Sequence, residues 1–172
     1  MKENRKPCIM EKVMIMSSKT NAVRMVEQAG ISCREAFYEY DEKDLSGRHA
    51  AQALGMPEEQ VFKTLVARGD RTGIHVFCIP VCCELDLKKA AKAANDKKVE
   101  LVAVKELQGL TGYIRGGCSP VGMKKQYTTV FDESVLAQEK VYVSGGRIGT
   151  QVCCAPADLI RAARATTAKI IF

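Results

Sequence analysis

Two apolar, β-branched runs lie close together in the middle of the chain, at residues 61–68 and 74–80. They are separated by the loop Gly69-Asp70-Arg71-Thr72-Gly73. Runs of this kind joined by a short glycine-containing loop are typical of an antiparallel β-hairpin. Strands and helices elsewhere show no regular βαβ alternation, and neither Gly-x-Gly-x-x-Gly nor a Walker loop occurs. The sequence therefore favours an α+β fold with a mixed sheet over a doubly wound fold.

Helices are predicted where a capping residue precedes an apolar stripe. Thr20 caps the first helix, which ends at Gly30, and Ser46 caps the second, which ends at Gly55. Two more helices are expected at residues 85–94 and 156–164. Besides the hairpin, strands are expected at residues 31–40, 99–103, 113–115, 128–131, 141–144, 151–154 and 169–172.

The chain has 172 residues, of which 47% are apolar and 27% charged, and this composition suits one globular domain. Residues 1–16 show no sustained hydrophobic period, so we treat them as an N-terminal extension ahead of a single domain at 17–172. No apolar run approaches the roughly 18 residues that a membrane span needs, and no secretory signal is visible. We expect a cytoplasmic protein without membrane contact. The net charge of +6 permits a polyanionic partner without requiring one.

Eight cysteines occur, but none are spaced as Cys-x-x-Cys, and two pairs are directly adjacent in sequence. Neighbouring residues of an extended chain point to opposite faces, so neither pair chelates one ion easily. The two histidines, His49 and His75, form no recognisable ligand or nucleophile motif. We expect no metal and no cofactor, and we expect the cysteines to be reduced thiols, mostly in the core.

Residues 113–125 combine adjacent glycines with a serine, a proline and two lysines, namely Gly116, Gly117, Ser119, Pro120, Lys124 and Lys125. Glycine permits positive φ and close backbone approach, whereas proline fixes φ and removes one N–H donor. Exposed backbone N–H groups, a hydroxyl and positive charge would converge here, which suits a carbonyl or a phosphate group. An ordinary turn is the alternative interpretation.

Lys63 lies in the first strand of the hairpin. Strand alternation places it on the same face as Val61, Leu65 and Ala67, an otherwise apolar face. Because an unpaired buried ammonium is costly, such a lysine is paired, reaches solvent or binds a ligand. Ser144 ends another apolar strand just before two glycines, where it either reaches a site or forms a turn.

Four blocks of the sequence form an ordered set. They are VFKTL (61–65), LDLKKAAKA (85–93), TGY with GGCSPVGMKK (111–113 and 116–125) and YVSGG (142–146). Together they resemble the YbaK/EbsC family of aminoacyl-tRNA editing deacylases, over about residues 20–165. Within that family the chain is most similar to the Cys-tRNA(Pro) deacylases.

The resemblance implies a mixed, largely antiparallel sheet curved toward a partial barrel and flanked by helices, like the editing domain of prolyl-tRNA synthetase. It implies a trans-editing deacylase that clears mischarged tRNA, chiefly Cys-tRNA(Pro) and also Cys-tRNA(Cys). The catalytic positions would be Lys63, Gly116, Gly117 and Ser144, with the glycine N–H groups facing the aminoacyl carbonyl. Further substrate contacts would come from Tyr38, Ser119, Pro120 and Gln151.

In this family the substrate assists its own cleavage, because the cysteine thiol attacks its own carbonyl and releases a cyclic thiolactone. The protein would act by positioning and by stabilising charge, and Cys118 would be a bystander. The implied partners are prolyl-tRNA synthetase and tRNA, whose backbone would contact Lys88, Lys89, Lys124 and Lys125.

Two departures from the family pattern bear on the choice of amino acid. The chain lacks an aromatic residue near Ser46 and Gly47, and it carries Gln151 where some relatives have aspartate. An Ala-tRNA(Pro) deacylase is therefore an alternative within the same reaction class. A non-catalytic module that binds tRNA or a synthetase is an alternative from a different class.

Overall fold

The computed structural model describes residues 18–172, so the expected extension at residues 1–16 lies outside the described part. The helices are α1 (Asn21–Gln28), α2 (Gly47–Leu54), α3 (Leu87–Ala93), α4 (Val104–Thr111) and α5 (Pro156–Ala162). The strands are β1 (Arg34–Phe37), β2 (Phe62–Gly69), β3 (Gly73–Pro80), β4 (Val99–Leu101), β5 (Thr128–Asp132), β6 (Val141–Arg147), β7 (Thr150–Cys154) and β8 (Thr166–Ala168). Short 3-10 turns occupy Glu58–Gln60 and Glu133–Ala137.

The strands form two open sheets. The smaller sheet has the order β1-β7-β6 and is antiparallel throughout, whereas the larger has the order β4-β2-β3-β5-β8. In the larger sheet β2 pairs antiparallel with β3 and β4, while β5 lies parallel to both β3 and β8. The two sheets meet at a parallel bridge between Val61 and Tyr142. The predicted α+β fold with a mixed, largely antiparallel sheet is confirmed.

Local sequence signals explain the hairpin and the first two helices. The β2–β3 ladder runs from Phe62 opposite Pro80 to Gly69 opposite Gly73, as the two apolar runs predict. The Thr20 hydroxyl accepts a hydrogen bond from the Val23 N–H, and the Ser46 hydroxyl accepts one from the His49 N–H. These bonds satisfy N–H groups that a helix start leaves without partners.

Two expectations about secondary structure are wrong, and one helix was missed. Residues 113–115 form a loop instead of a strand, because the Tyr113 ring is buried and its hydroxyl donates to the Val121 carbonyl at 2.7 Å. Helix α4 was not expected, because alanine occupies its N-cap position and its start is held by the Glu106 carboxylate. Residues 169–172 do not form the expected last strand, because the last strand is β8. Within this segment, Ile171 forms an isolated bridge with Leu85.

The expectation of reduced cysteines is wrong for one pair, because Cys33 and Cys154 form a disulfide. Arg34 lies opposite Cys153 in the antiparallel β1–β7 ladder, so the next pair outward is Cys33 and Cys154. Their Cα atoms are 4.7 Å apart, a separation that a disulfide can bridge. The two residues are 121 positions apart in sequence, so short-range cysteine spacing does not reveal the pair.

Apolar side chains pack on both faces of the larger sheet. One core lies between the two sheets and includes Phe62 and Val66 from β2 and Val143 and Val152 from the smaller sheet. On the opposite face, Ala67, Phe77 and Ile79 pack with Ala90 and Ala91 of α3. A third, small cluster on that face contains Val61, Val81 and Tyr142. Lys63 lies on this face between the second and third clusters, because strand alternation aligns it with Val61 and Leu65.

Candidate active site

A cavity of about 400 Å³ opens where the two sheets meet, and we call it the first cavity. Its walls come from the ends of several elements, which bring together residues that are far apart in sequence. Five residues expected at the site line it, namely Tyr38, Lys63, Gly116, Ser144 and Gln151. Other lining residues include Ser46, Gly47, Arg48, Thr64, Glu84, Arg115 and Cys118.

Strand register explains why the polar residues converge. The parallel bridge joins Val61 to Tyr142, so two residues further along each strand Lys63 and Ser144 emerge on the same side. Ser144 lies directly opposite Gln151 in the β6–β7 ladder. The register shifts just after Ser144, which marks an irregularity at the wall of the cavity.

Among residues 18–172, the Lys63 ammonium has no close counter-ion. Its side chain is 28% exposed, and the nearest carboxylate oxygen within the described residues is Glu84 Oε1 at 4.0 Å. The Glu84 side chain is itself 85% exposed, so this ion pair is weak. Lys63 is therefore positioned to bind an anionic or carbonyl oxygen in the first cavity.

The two adjacent glycines have different roles. Gly116 has a φ of +85° and lines the cavity, and within residues 18–172 its N–H forms no hydrogen bond. The Gly117 N–H is already donated to the Ile114 carbonyl at 3.0 Å. A Cβ at Gly117 would lie 3.0 Å from the Ile148 nitrogen, so this glycine allows the loop to pack against the β6–β7 turn. Of the two expected N–H donors, the one free for a ligand is that of Gly116.

Gln151 and Tyr38 form another wall of the cavity. Gln151 is 6% exposed, and its Oε1 atom is buried without a hydrogen-bond partner in the described part of the chain. Burial raises the pKa of the Tyr38 hydroxyl, and hydrogen bonding to Gly149 and Gln151 opposes that rise. The Ser144 hydroxyl accepts a hydrogen bond from the Gly146 N–H at 3.2 Å. An unpaired buried acceptor is costly, so Gln151 Oε1 is a candidate to accept a hydrogen bond from a ligand at this wall of the cavity.

The structure does not bring every expected residue to the cavity. Ser119 and Pro120 are buried away from it, and the Ser119 hydroxyl accepts from the Val121 N–H. Lys88 is exposed on α3, whereas Lys89 donates to the Ile171 carbonyl at 2.8 Å. Lys124 and Lys125 are both exposed, outside the lining of the first cavity. Of the glycines, serine and lysines expected to converge at one point, the lining of the first cavity includes Gly116 alone.

Three charged residues of the cavity wall were missed by sequence reasoning, namely Arg48, Glu84 and Arg115. Arg48 pairs with Glu58 at 3.8 Å and follows the capping residue of α2. Arg115 directly precedes Gly116, so its proximity to the glycine loop was the one available signal. These side chains add two positive charges and one negative charge to the cavity.

Cys118 also lines the first cavity, where it is 8% exposed. Burial raises the pKa of its thiol to about 11, although a hydrogen bond with Thr111 opposes the rise. The thiolate is the nucleophilic form of cysteine, so Cys118 is poorly suited to attack an ester near neutral pH.

Residues 18–172 contain no group of three or more His, Cys, Asp or Glu side chains arranged to hold a metal ion. None of the helices in this range has the length and apolar character to cross a bilayer.

Comparison with known proteins identifies the family. The family model of the aminoacyl-tRNA editing domain matches residues 46–162, a span that contains most of the first cavity. The chain belongs to the aminoacyl-tRNA editing domain family. Lys63, Gly116, Ser144 and Gln151 all fall within this editing domain, whereas Tyr38 precedes the matched span.

Relatives of known name support this assignment. The "Putative Cys-tRNA(Pro)/Cys-tRNA(Cys) deacylase EbsC" of Enterococcus faecalis is 45% identical over 152 residues, which cover 88% of this chain and 93% of that protein. A proline–tRNA ligase of Brachyspira hyodysenteriae is 23% identical over 151 residues, which cover 83% of this chain but only 26% of the ligase. The solved structure of "a putative trans-editing enzyme for prolyl tRNA synthetase" superposes with a TM-score of 0.74 at 25% identity, covering 90% of this chain and 99% of that one.

Proposed function

We propose that this protein is a trans-editing deacylase that clears Cys-tRNA(Pro), and also Cys-tRNA(Cys), by substrate-thiol-assisted cleavage. The observation that carries the proposal is Lys63, whose ammonium enters a cavity in an otherwise apolar face with its nearest described carboxylate 4.0 Å away. The name of the Enterococcus faecalis relative supports this choice of substrate. The activity is assigned to the single domain at residues 17–172.

The reaction needs little from a protein nucleophile, because an aminoacyl ester is already activated. The thiol of the esterified cysteine loses its proton and attacks its own carbonyl carbon, forming a carbon–sulfur bond. The ester carbon–oxygen bond then breaks, and the terminal ribose oxygen leaves and takes up a proton. The products are a cyclic thiolactone and uncharged tRNA. Positioning and stabilisation of charge on the carbonyl oxygen account for the acceleration.

Five residues that line the first cavity have a role in this proposal. Lys63 orients the ester through the carbonyl or the ribose and phosphate, and the Gly116 N–H donates to the developing oxyanion. Ser144 positions the aminoacyl end. Tyr38 and Gln151 form the wall of the cavity beside the amino acid. The unpaired Gln151 Oε1 accepts a hydrogen bond from the substrate's ammonium group.

The tRNA body would lie outside the cavity, on exposed lysines. Lys88, Lys124 and Lys125 are exposed and can contact phosphates without reading sequence, whereas Lys89 is held by the Ile171 carbonyl. Prolyl-tRNA synthetase is the proposed partner, supported by the solved trans-editing structure and by the similarity to part of a proline–tRNA ligase. The protein would then act in the cytoplasm, where tRNA is charged.

Deacylation of a panel of charged tRNAs, with and without prolyl-tRNA synthetase, tests the proposal. Cys-tRNA(Pro) should be lost fastest, with a product derived from the thiolactone, and Pro-tRNA(Pro) should persist. Ser-tRNA is the matched control, because a hydroxyl replaces the thiol. Faster loss of Ala-tRNA(Pro) would instead identify an alanine editor, and tRNA binding without ester loss would identify a non-catalytic module.

A further inference from the structure

A second cavity of about 440 Å³ lies beside the first. Tyr38 lines both cavities, so they are neighbours on the two sides of this residue. The second cavity is bounded by Tyr40 and Ile114, each 48% exposed, and by Arg147 and Ile148. The proposed deacylation does not use this cavity. Tyr40 and Ile114 are two of the large apolar side chains that are exposed in the described part of the chain.

Glycines let aromatic rings pack on the backbone at the second cavity. Gly146 and Gly149 have φ values of +92° and +84° and carry no side chain into it. A Cβ at Gly149 would lie 2.9 Å from Tyr40 Cδ1, and one at Gly146 would lie 2.9 Å from Tyr113 Cε1. The Tyr40 ring therefore packs on the Gly149 backbone, while 48% of the residue stays exposed. The exposed part of this ring can stack on a planar group.

Positive charge borders the second cavity. One N–H group of Arg147 is donated to the Ser18 carbonyl at 2.8 Å, and within residues 18–172 the other donors of the guanidinium make no hydrogen bond. The side chain of Lys124 lies along Gly112, another lining residue. Aromatic rings combined with cationic side chains are the usual platform for single-stranded nucleic acid.

We propose that the second cavity binds the terminal nucleobase of the tRNA whose aminoacyl ester occupies the first cavity, an inference that rests on the proposed function. The ester is carried by the terminal ribose, and the base is attached to the same sugar. When the aminoacyl group enters on one side of Tyr38, the base lies within one sugar's length of it. Tyr40 and Ile114 then stack on the base, and Arg147 and Lys124 face the adjoining phosphates.

Fluorescence of a modified tRNA tests this directly and does not depend on catalysis. In uncharged tRNA(Pro), 2-aminopurine replaces the terminal adenine, and stacking on an aromatic ring quenches its emission. Wild-type protein at saturating concentration should quench the emission, whereas Tyr40→Ala and Ile114→Ala should quench it much less. Leu136→Ala is the control, because Leu136 is 62% exposed and lines neither cavity.

A kinetic comparison gives a second readout. Cysteine methyl ester carries the reacting groups but no base. The ratio of kcat/KM for Cys-tRNA(Pro) to that for the methyl ester should fall about tenfold in Tyr40→Ala, as expected for loss of one stacking contact.

The two readouts separate the base site from the deacylase function. Two outcomes would overturn the base site whatever the deacylase activity. In one, the wild type binds the tRNA without quenching its emission. In the other, both variants quench the emission as strongly as the wild type. Quenching by the wild type without ester loss would support the base site and overturn the deacylase. Absence of tRNA binding would overturn both.

Discussion

The two ends of the β2–β3 hairpin treat buried polar side chains in opposite ways. At the turn, Asp96 is 8% exposed, and its carboxylate accepts hydrogen bonds from the N–H groups of Arg71, Thr72 and Lys97 at 3.2, 2.9 and 2.6 Å. At the other end, Gln151 is 6% exposed and its Oε1 atom has no partner among the described residues. Lys63 beside it is 4.0 Å from its nearest described carboxylate.

Burial alone does not distinguish these two regions, because the exposed fractions of Asp96 and Gln151 are almost equal. The regions differ in how fully their buried polar groups are hydrogen-bonded. The Asp96 carboxylate stabilises the fold by satisfying the backbone of the hairpin loop, whereas in the first cavity Gln151 Oε1 has no partner among residues 18–172 and Lys63 has one weak ion pair there. The difference predicts that substitutions at the turn change stability, and that substitutions at the cavity change activity.

The largest effect is expected for Lys63→Ala. Loss of a preorganised charge at the reacting ester should lower kcat/KM for Cys-tRNA(Pro) by at least about 100-fold. The thermal midpoint should stay close to that of the wild type, because the one ion pair that Lys63 makes within residues 18–172 is weak. Deacylation assays and thermal unfolding measure the two quantities.

Lys105→Ala is the matched control for Lys63→Ala, because Lys105 is exposed on α4 and lines neither cavity. Its activity should equal that of the wild type. Wild-type turnover by Lys63→Ala itself would remove Lys63 from the mechanism.

Asp96→Ala should show the reverse pattern. Removing the acceptor of several backbone N–H groups should lower the thermal midpoint by several degrees, while kcat/KM at low temperature stays near wild type. Exposed Asp70, in the same loop, supplies the control Asp70→Ala. A variant with unchanged stability and lost activity would contradict the contrast between the two ends.

The same carboxylate predicts a dependence on pH. Its hydrogen bonds, first of all that from Thr72, lower the pKa of Asp96 below the ordinary value of 3.8. The unfolded chain therefore binds the proton first as the pH falls below about 3.8, and the folded state loses stability there. Asp96→Ala should weaken this acid dependence in denaturant titrations.

Gln151→Leu tests the unpaired acceptor of the first cavity. Leucine removes a buried Oε1 that has no partner among residues 18–172 but also the hydrogen bond between the Gln151 amide and the Tyr38 hydroxyl, so the free energy of unfolding should change by no more than about 1 kcal/mol. If Gln151 holds the substrate's ammonium group, kcat/KM should fall roughly tenfold through the loss of one charged hydrogen bond. Destabilisation with unchanged activity would mean that Gln151 has a structural role.

Short sequence patterns correctly predicted those helices and strands that are determined by neighbouring residues in the chain. The hairpin follows from two apolar runs and a glycine loop, and the starts of α1 and α2 follow from the side-chain caps Thr20 and Ser46. Alternation along one strand was enough to single out Lys63 as a polar residue on an apolar face. Gln151 drew attention through resemblance alone, because nothing in its own segment marks its Oε1 atom as unpaired.

Features that depend on distant parts of the chain could not be predicted in this way. The Cys33–Cys154 disulfide requires the β1–β7 register. Gly117 is a glycine because the Arg147 and Ile148 backbone lies against it, so two adjacent glycines that look equivalent in sequence have different functions. Tyr113 leaves the expected strand because its hydroxyl reaches Val121.

The smallest effect is expected for Cys118→Ser, although Cys118 lines the same cavity as Lys63. Burial raises the pKa of its thiol to about 11, so the thiolate is scarce at neutral pH and no step of the proposed reaction uses it. The variant should retain kcat/KM within about twofold, as measured with Cys-tRNA(Pro), because exchange of sulfur for oxygen at a non-reacting position changes only packing. A loss as large as that of Lys63→Ala would make Cys118 a nucleophile. In that case the substrate thiol would no longer be needed, and Ser-tRNA should be cleaved as fast as Cys-tRNA.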